Sequence, residues 1–149
     1  MTRKMEVGKK LIEIKLIMDT KILVINGDNF SDPESFYDEI DKVLTKDLDR
    51  KTGHSLDAFN DLLRGGFGVF EYDEPIMLIW KNTSKSKIDL GPVTTKKYYE
   101  QRILGCHKSN IPSFQEKITE LASGRGQTLF DILCEIIEEH DHIQFQMEE

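Results

Sequence analysis

The stretch GHSLDAFNDLLRGG, Gly53 to Gly66, places Asp57 and Asp61 four residues apart. On a helix that spacing stacks two like charges one turn from each other, at a cost of about 0.2–0.5 kcal/mol to an isolated helix. Two chemistries use such a pair. Acid–base hydrolysis needs a cleft and one carboxyl with a raised pKa, and an exposed helix face supplies neither. A cationic partner, by contrast, would neutralise the pair on docking, with gains mainly in association rate and specificity. A solvated face, screened by water and salt, is the plain alternative. The segment LFDILCEIIEEH repeats the pattern: Asp131, Glu135, Glu138 and Glu139 share one outward face, and the last two sit near the negative end of the helix dipole.

Other site chemistries have weaker support. Cys106, His107, Cys134, His140 and His142 are the metal-ligand candidates, but no Cys-x-x-Cys or His-x-x-x-His pair joins them. The glycines of RGGFG read as a helix stop, since no Gly-Lys-Ser/Thr follows to make a phosphate loop. No nucleophile elbow or Cys/His pattern is present. Neither a cofactor nor a metal is expected.

The acidic pair must be positioned by its elements. Ser55 caps a helix whose apolar positions Leu56, Phe59, Leu62 and Leu63 recur at spacings of three and four, and Gly65-Gly66 ends it. Before it, SDPESFYDEIDKVL, Ser31 to Leu44, reads as a helix with Ser31 or Asp32 as cap, a Ser31/Glu34 capping box and Pro33 in the first turn. Two apolar runs, Lys21 to Gly27 and Glu74 to Trp80, predict central strands. Lys81 to Gln101 reads as a basic, turn-rich connection. Ser113 to Ser123 follows as a helix with a Ser113/Glu116 capping box. Leu129 to His140 is a helix with an unbroken apolar stripe, and HIQFQM is a closing strand. Alternation at Ile12, Ile14 and Leu16 leaves room for an extra N-terminal strand, turned at Asp19-Thr20, and residues 1–10 read as a tail. The order β, α, α, β, α, α, β predicts one small α/β domain over residues 1–149 with a mainly parallel sheet.

Net charge is −7 over 149 residues, which argues against general nucleic-acid binding. The charge is uneven. Residues 27–61 hold ten acids and four bases, and residues 131–149 hold seven acids without Lys or Arg. Residues 81–125 hold nine bases and four acids. If the two acidic segments meet in space, they make a site for a basic partner. No run of about 18 apolar residues predicts a membrane span. The first twenty residues lack a clean apolar core and a small-residue cleavage site, so no signal peptide is expected. With two cysteines read as free thiols, the expectation is a cytoplasmic protein.

Val24 to Gly27, then a helix, then Gly-x-x-Leu-Asp-Ala-x-x-Asp-x-Leu-x-Gly over Gly53 to Gly65, resembles the barstar family of intracellular ribonuclease inhibitors. The strand ending in Trp80 and the final helix and strand, Leu129 to Gln146, match in the same order. The resemblance implies a barstar-like three-layer domain with a three-stranded, mainly parallel sheet packed by helices. It also implies blockade of a barnase-like ribonuclease, whose basic active site receives an acidic helix and its preceding loop. By position, Asp57 and Asp61 match the inhibitory aspartates, Gly53 the glycine of the binding loop, and Glu135 an acidic contact on the last helix. His54 and Asn60 would shape the surface. Three positions depart from barstar itself: Lys51 and Thr52 stand where it has tyrosines, and Asn60 where it has tryptophan. The insertion around residues 91–112 has no counterpart there. The alternative implied by these departures is a non-inhibitory interaction module on the same fold, bound to some other basic protein.

Overall fold

The computed structural model describes residues 19–48 and 52–149. The candidate strand over residues 12–16, the tail and Lys51 lie outside the described residues. Three strands form a parallel sheet in the order β1-β2-β3: β1 (Lys21–Asn26), β2 (Ile76–Lys81) and β3 (Ile143–Met147). Register sets Ile25 beside Trp80, Leu23 beside Leu78, and Leu78 in turn beside Phe145. Strand alternation then puts Ile25, Ile76, Leu78, Trp80 and Ile143 into one buried cluster. Both segments are short runs of β-branched and aliphatic residues, which is why ILVIN and IMLIW were legible as strands.

Between β1 and β2 run α1 (Pro33–Leu44) and α2 (Leu56–Leu63). The apolar stripe of α1, Phe36, Ile40 and Leu44, is buried and meets the sheet. Trp80 is stacked on Phe36 at 5.4 Å and edge-on to Phe130 at 5.0 Å. Its indole N–H donates to Ser86 Oγ at 2.9 Å, so the largest core side chain leaves no polar atom unpaired. The Asn26-Gly27 turn after β1 is pinned by Glu39 of α1, which is only 4% exposed. Glu39 Oε2 accepts the Asn26 N–H at 2.9 Å, and both its oxygens accept from Asn29 Nδ2 at 3.1 Å. Gly27 is required there by space: a Cβ would lie 2.6 Å from the Lys81 carbonyl oxygen.

Four helices, rather than two, separate β2 from β3: α3 (Thr83–Asp89), α4 (Pro92–Gly105), α5 (Ile111–Ala122) and α6 (Leu129–Glu138). The stretch expected as a turn-rich connection is therefore helical. Its Gly91-Pro92 pair divides two helices, with Pro92 in the first turn of α4, where its missing N–H does no harm. Thr95 is buried, donates from Oγ1 to the Gly91 carbonyl at 2.7 Å and accepts the Leu129 N–H at 2.7 Å, so α4 is bound to the start of α6.

Two capping boxes differ from expectation. Helix α1 is capped by Asp32, one of the two expected caps, but its box partner is Ser35 rather than the Ser31/Glu34 pair. Asp32 Oδ1 accepts the Ser35 N–H at 2.8 Å, and Ser35 Oγ accepts the Asp32 N–H at 3.2 Å. The hydrogen bonds from Ser35 hold the Asp32 carboxyl below its ordinary pKa. Helix α5 starts at Ile111 behind a short 3-10 turn (Lys108–Asn110), so Ser113 lies inside the helix and cannot cap it. The caps at Ser55 and Thr128 close α2 and α6, and Gly65, at φ +92°, turns the chain out of α2.

Candidate partner-binding site

Asp57 and Asp61 both lie exposed on α2. Asp57 is in the first turn, where the helix dipole favours a negative charge, and Asp61 is in the last, where it does not. Neither carboxylate makes a hydrogen bond or ion pair among the described residues. The inward face of the same helix is fully committed. Ser55 Oγ accepts the Ala58 N–H at 3.1 Å, and Phe59, Leu62 and Leu63 are buried.

The loop ahead of α2 is held by acids of α1. Asp41 Oδ1 accepts from the Thr52 hydroxyl, and Asp41 Oδ2 meets His54 Nε2 at 3.3 Å. His54 Nδ1 is bonded to Glu34, and Asp38 stands 3.7 Å from His54 Nε2. Tyr37 stacks on the imidazole at 5.5 Å. Burial works against the charged ring, but the hydrogen bonds to Glu34 and Asp41 and their charges outweigh it. They hold the His54 pKa above its ordinary 6.5. Gly53 is exposed, and a Cβ there would meet only Ala58 at ordinary contact distance, so the loop does not need a glycine for its own geometry.

Asn60 is half-buried. Its Oδ1 accepts from His140 Nε2 at 2.8 Å, a bond spanning 80 residues of sequence. His142 Nε2 donates to the Leu63 carbonyl at 2.8 Å. Two histidines that sequence reading weighed as metal ligands thus fasten α2 to the turn before β3. Burial, then the charges of His142 and Arg64, keep His140 below its ordinary pKa. No group of three or more metal-ligating side chains is gathered among the described residues. Beside Asn60 opens a cavity of about 530 Å³, with Arg64, Asp73 and Glu139 on its wall.

Helices α2 and α6 pack against each other, so the two acid-rich segments of the chain are neighbours. Glu135 is exposed on α6 and accepts from Gln127 Nε2 at 2.7 Å. Sequence reading missed the wall on the other side of Asp57. Tyr98, Gln101 and Arg102 of α4 face His54 and Asp57 across a groove of about 400 Å³. The only signal for it was a pair of tyrosines in a segment read as turns. No helix of the described residues is long and apolar enough to cross a membrane.

A family model described as barstar (barnase inhibitor) matches residues 20–96, just over half of the 149 residues. The chain belongs to the barstar family. The match spans β1, α1, α2, β2 and α3 and stops early in α4, so the acidic helix and the strand that carries Trp80 are inside it. No curated protein matches the sequence closely enough to count as a relative. The three-stranded parallel sheet with helical crossovers accords with the family's fold.

Proposed function

We propose that the protein is an intracellular, immunity-type inhibitor of a barnase-like ribonuclease, acting by occupation of the enzyme's basic active site rather than by any turnover of its own. The observation that carries this reading is the pair Asp57 and Asp61: exposed, one turn apart, and without a partner among the described residues. Membership of an inhibitor family supplies the class of target. In this reading both carboxylates stand in for RNA phosphates and pair with Arg or Lys of the nuclease through charge-assisted hydrogen bonds. Glu135 is an auxiliary contact from α6. Gly53, His54 and Asn60 shape the surface, the last two held by α1 and by His140. The barnase–barstar complex is a reference case for electrostatic steering and for an aspartate hot spot.

One observation favours a second reading, a non-inhibitory interaction module. Residues 97–128, which hold most of α4 and all of α5, lie beyond the family match and border the proposed surface. Titration against barnase and a panel of small basic ribonucleases separates the two. Stoichiometric inhibition that weakens with salt is expected. Failure to inhibit any of them, with a different basic protein recovered from lysate, would overturn the inhibitor in favour of the module.

A further inference from the structure

Helix α2 is eight residues long, too short to be stable by itself, so its surroundings must orient Asp57 and Asp61. Phe59, Leu62 and Leu63 fix its inward face. Its flank is fixed by two histidines of the turn before β3. His140 Nε2 donates to Asn60 Oδ1 at 2.8 Å, one residue before Asp61, and His142 Nε2 donates to the Leu63 carbonyl at 2.8 Å. Leu63 is the last residue of the helix, so its carbonyl is one of the four that lack an intrahelical partner. A donor there also softens the negative helix end, where Asp61 sits.

His140 is the half of this latch that responds to pH near the docking surface. Around the cavity of about 530 Å³ it faces Asn60 and Arg64 at the end of α2, and Tyr72 and Asp73 from the loop before β2. Glu139, Asp141 and His142 stand beside it in the chain. The His142 ring lies 5.6 Å away, edge to face, and has Asp73 Oδ1 3.8 Å from its Nδ1. His140 itself forms no ion pair among the described residues. Burial, then the charges of His142 and Arg64, outweigh Glu139 and Asp73 and hold it neutral at pH 7.

We propose that His140 is a proton-linked positioning residue of the docking helix. Neutral, it anchors Asn60 and so sets Asp61 for the cationic partner; protonated, it puts a like charge beside that partner and weakens the complex. This rests on the ribonuclease-inhibitor reading for its partner. Linkage makes the effect reciprocal: partner binding lowers the affinity of His140 for its proton by the same factor.

The first test needs no partner. In an NMR pH titration of the full chain, His140 should titrate below 6.5, and the Asn60 side-chain and Asp61 backbone amides should follow its midpoint. His54, ahead of α2, is held above 6.5, so the two midpoints separate. In His140→Gln, which keeps a donor but does not titrate in this range, that response of Asp61 should vanish. The second test is inhibition of a small basic ribonuclease. At pH 7.5, His140→Ala should weaken it about fivefold, the worth of one lost hydrogen bond, and His140→Gln should restore most of the loss. From pH 7.5 to 5.5, inhibition by the wild type should weaken about threefold more than inhibition by His140→Gln. Urea unfolding at both pH values separates a folding defect from a binding one. An Asp61 amide indifferent to the His140 midpoint, or a Gln variant with the wild-type pH profile of inhibition, would overturn the proposal. Inhibition lost in Asp61→Ala but indifferent to His140 would overturn it and leave the inhibitor standing. Amide shifts that follow His140, with no ribonuclease inhibited, would keep the positioning role and remove the inhibitor.

Discussion

Helices α1 and α2 are both rich in carboxylates, and they use them in opposite ways. On α1 the acids are committed to the fold: Asp32 caps the helix, Glu39 pins the Asn26-Gly27 turn, and Glu34 and Asp41 clamp His54. On α2, one turn of helix separates two carboxylates that no described residue engages. Acids of the first kind lower the free energy of the native state on their own. Acids of the second kind repel each other until something cationic arrives. The difference teaches that charge density alone does not separate acids engaged in the fold from acids left open to solvent.

Substitutions at the two helices should therefore separate stability from binding. The largest effect is expected from Asp61→Ala, which should weaken ribonuclease inhibition by about thirtyfold or more, equivalent to at least ~2 kcal/mol, with the unfolding midpoint unchanged. Inhibition constants and urea unfolding check both halves. Glu39→Ala should do the reverse. Loss of the acceptor for the Asn26 N–H at a site 4% exposed should cost about 1–3 kcal/mol of stability by urea unfolding. Inhibition by the fraction that remains folded should be kept. Asp32→Ala should cost about 1 kcal/mol through the lost cap and leave inhibition untouched.

His54 supplies a pH-dependent term. Its folded pKa is raised, so its contribution to stability is fully present below the ordinary value of 6.5 and is lost as pH rises through the folded value. Unfolding midpoints measured from pH 5.5 to 8.5 should show this decline, and His54→Gln should remove it. Equal declines in the two proteins would assign it to another group.

Much of the fold was legible, and the reasons are local. The strands are short apolar runs closed by turn residues, and α2 carries both its cap and its stop in eight residues plus their flanks. Helices α3 and α4 were illegible because Asn82, Gly91 and Pro92 read as turn chemistry. Moreover, α4 buries Thr95 towards α6 and Tyr99 beside Phe114 of α5, so its inward positions form no single apolar stripe. The α1 cap was narrowed to Ser31 or Asp32 but its box partner was misplaced, because the two candidates are adjacent and only the folded Ser35 decides between them. At the candidate site, the acidic pair stood out by spacing alone. Its surroundings did not, because they depend on contacts far apart in sequence. Asn60 was read as a lost aromatic contact, yet it is tied to His140, and the α4 wall reaches the loop from more than 40 residues away.

The most direct test of the central claim is the salt dependence of inhibition, measured side by side for the wild type and the double variant Asp57→Asn/Asp61→Asn. The account predicts that the wild type inhibits a small basic ribonuclease tightly at low salt and progressively less at high salt. The double variant should lose both the inhibition and its salt response, with its unfolding midpoint little changed, because relief of the repulsion is offset by loss of the favourable charge of Asp57 at the helix start. A double variant that inhibits as well as the wild type, with the same salt response, would contradict the claim that these two carboxylates are the docking site.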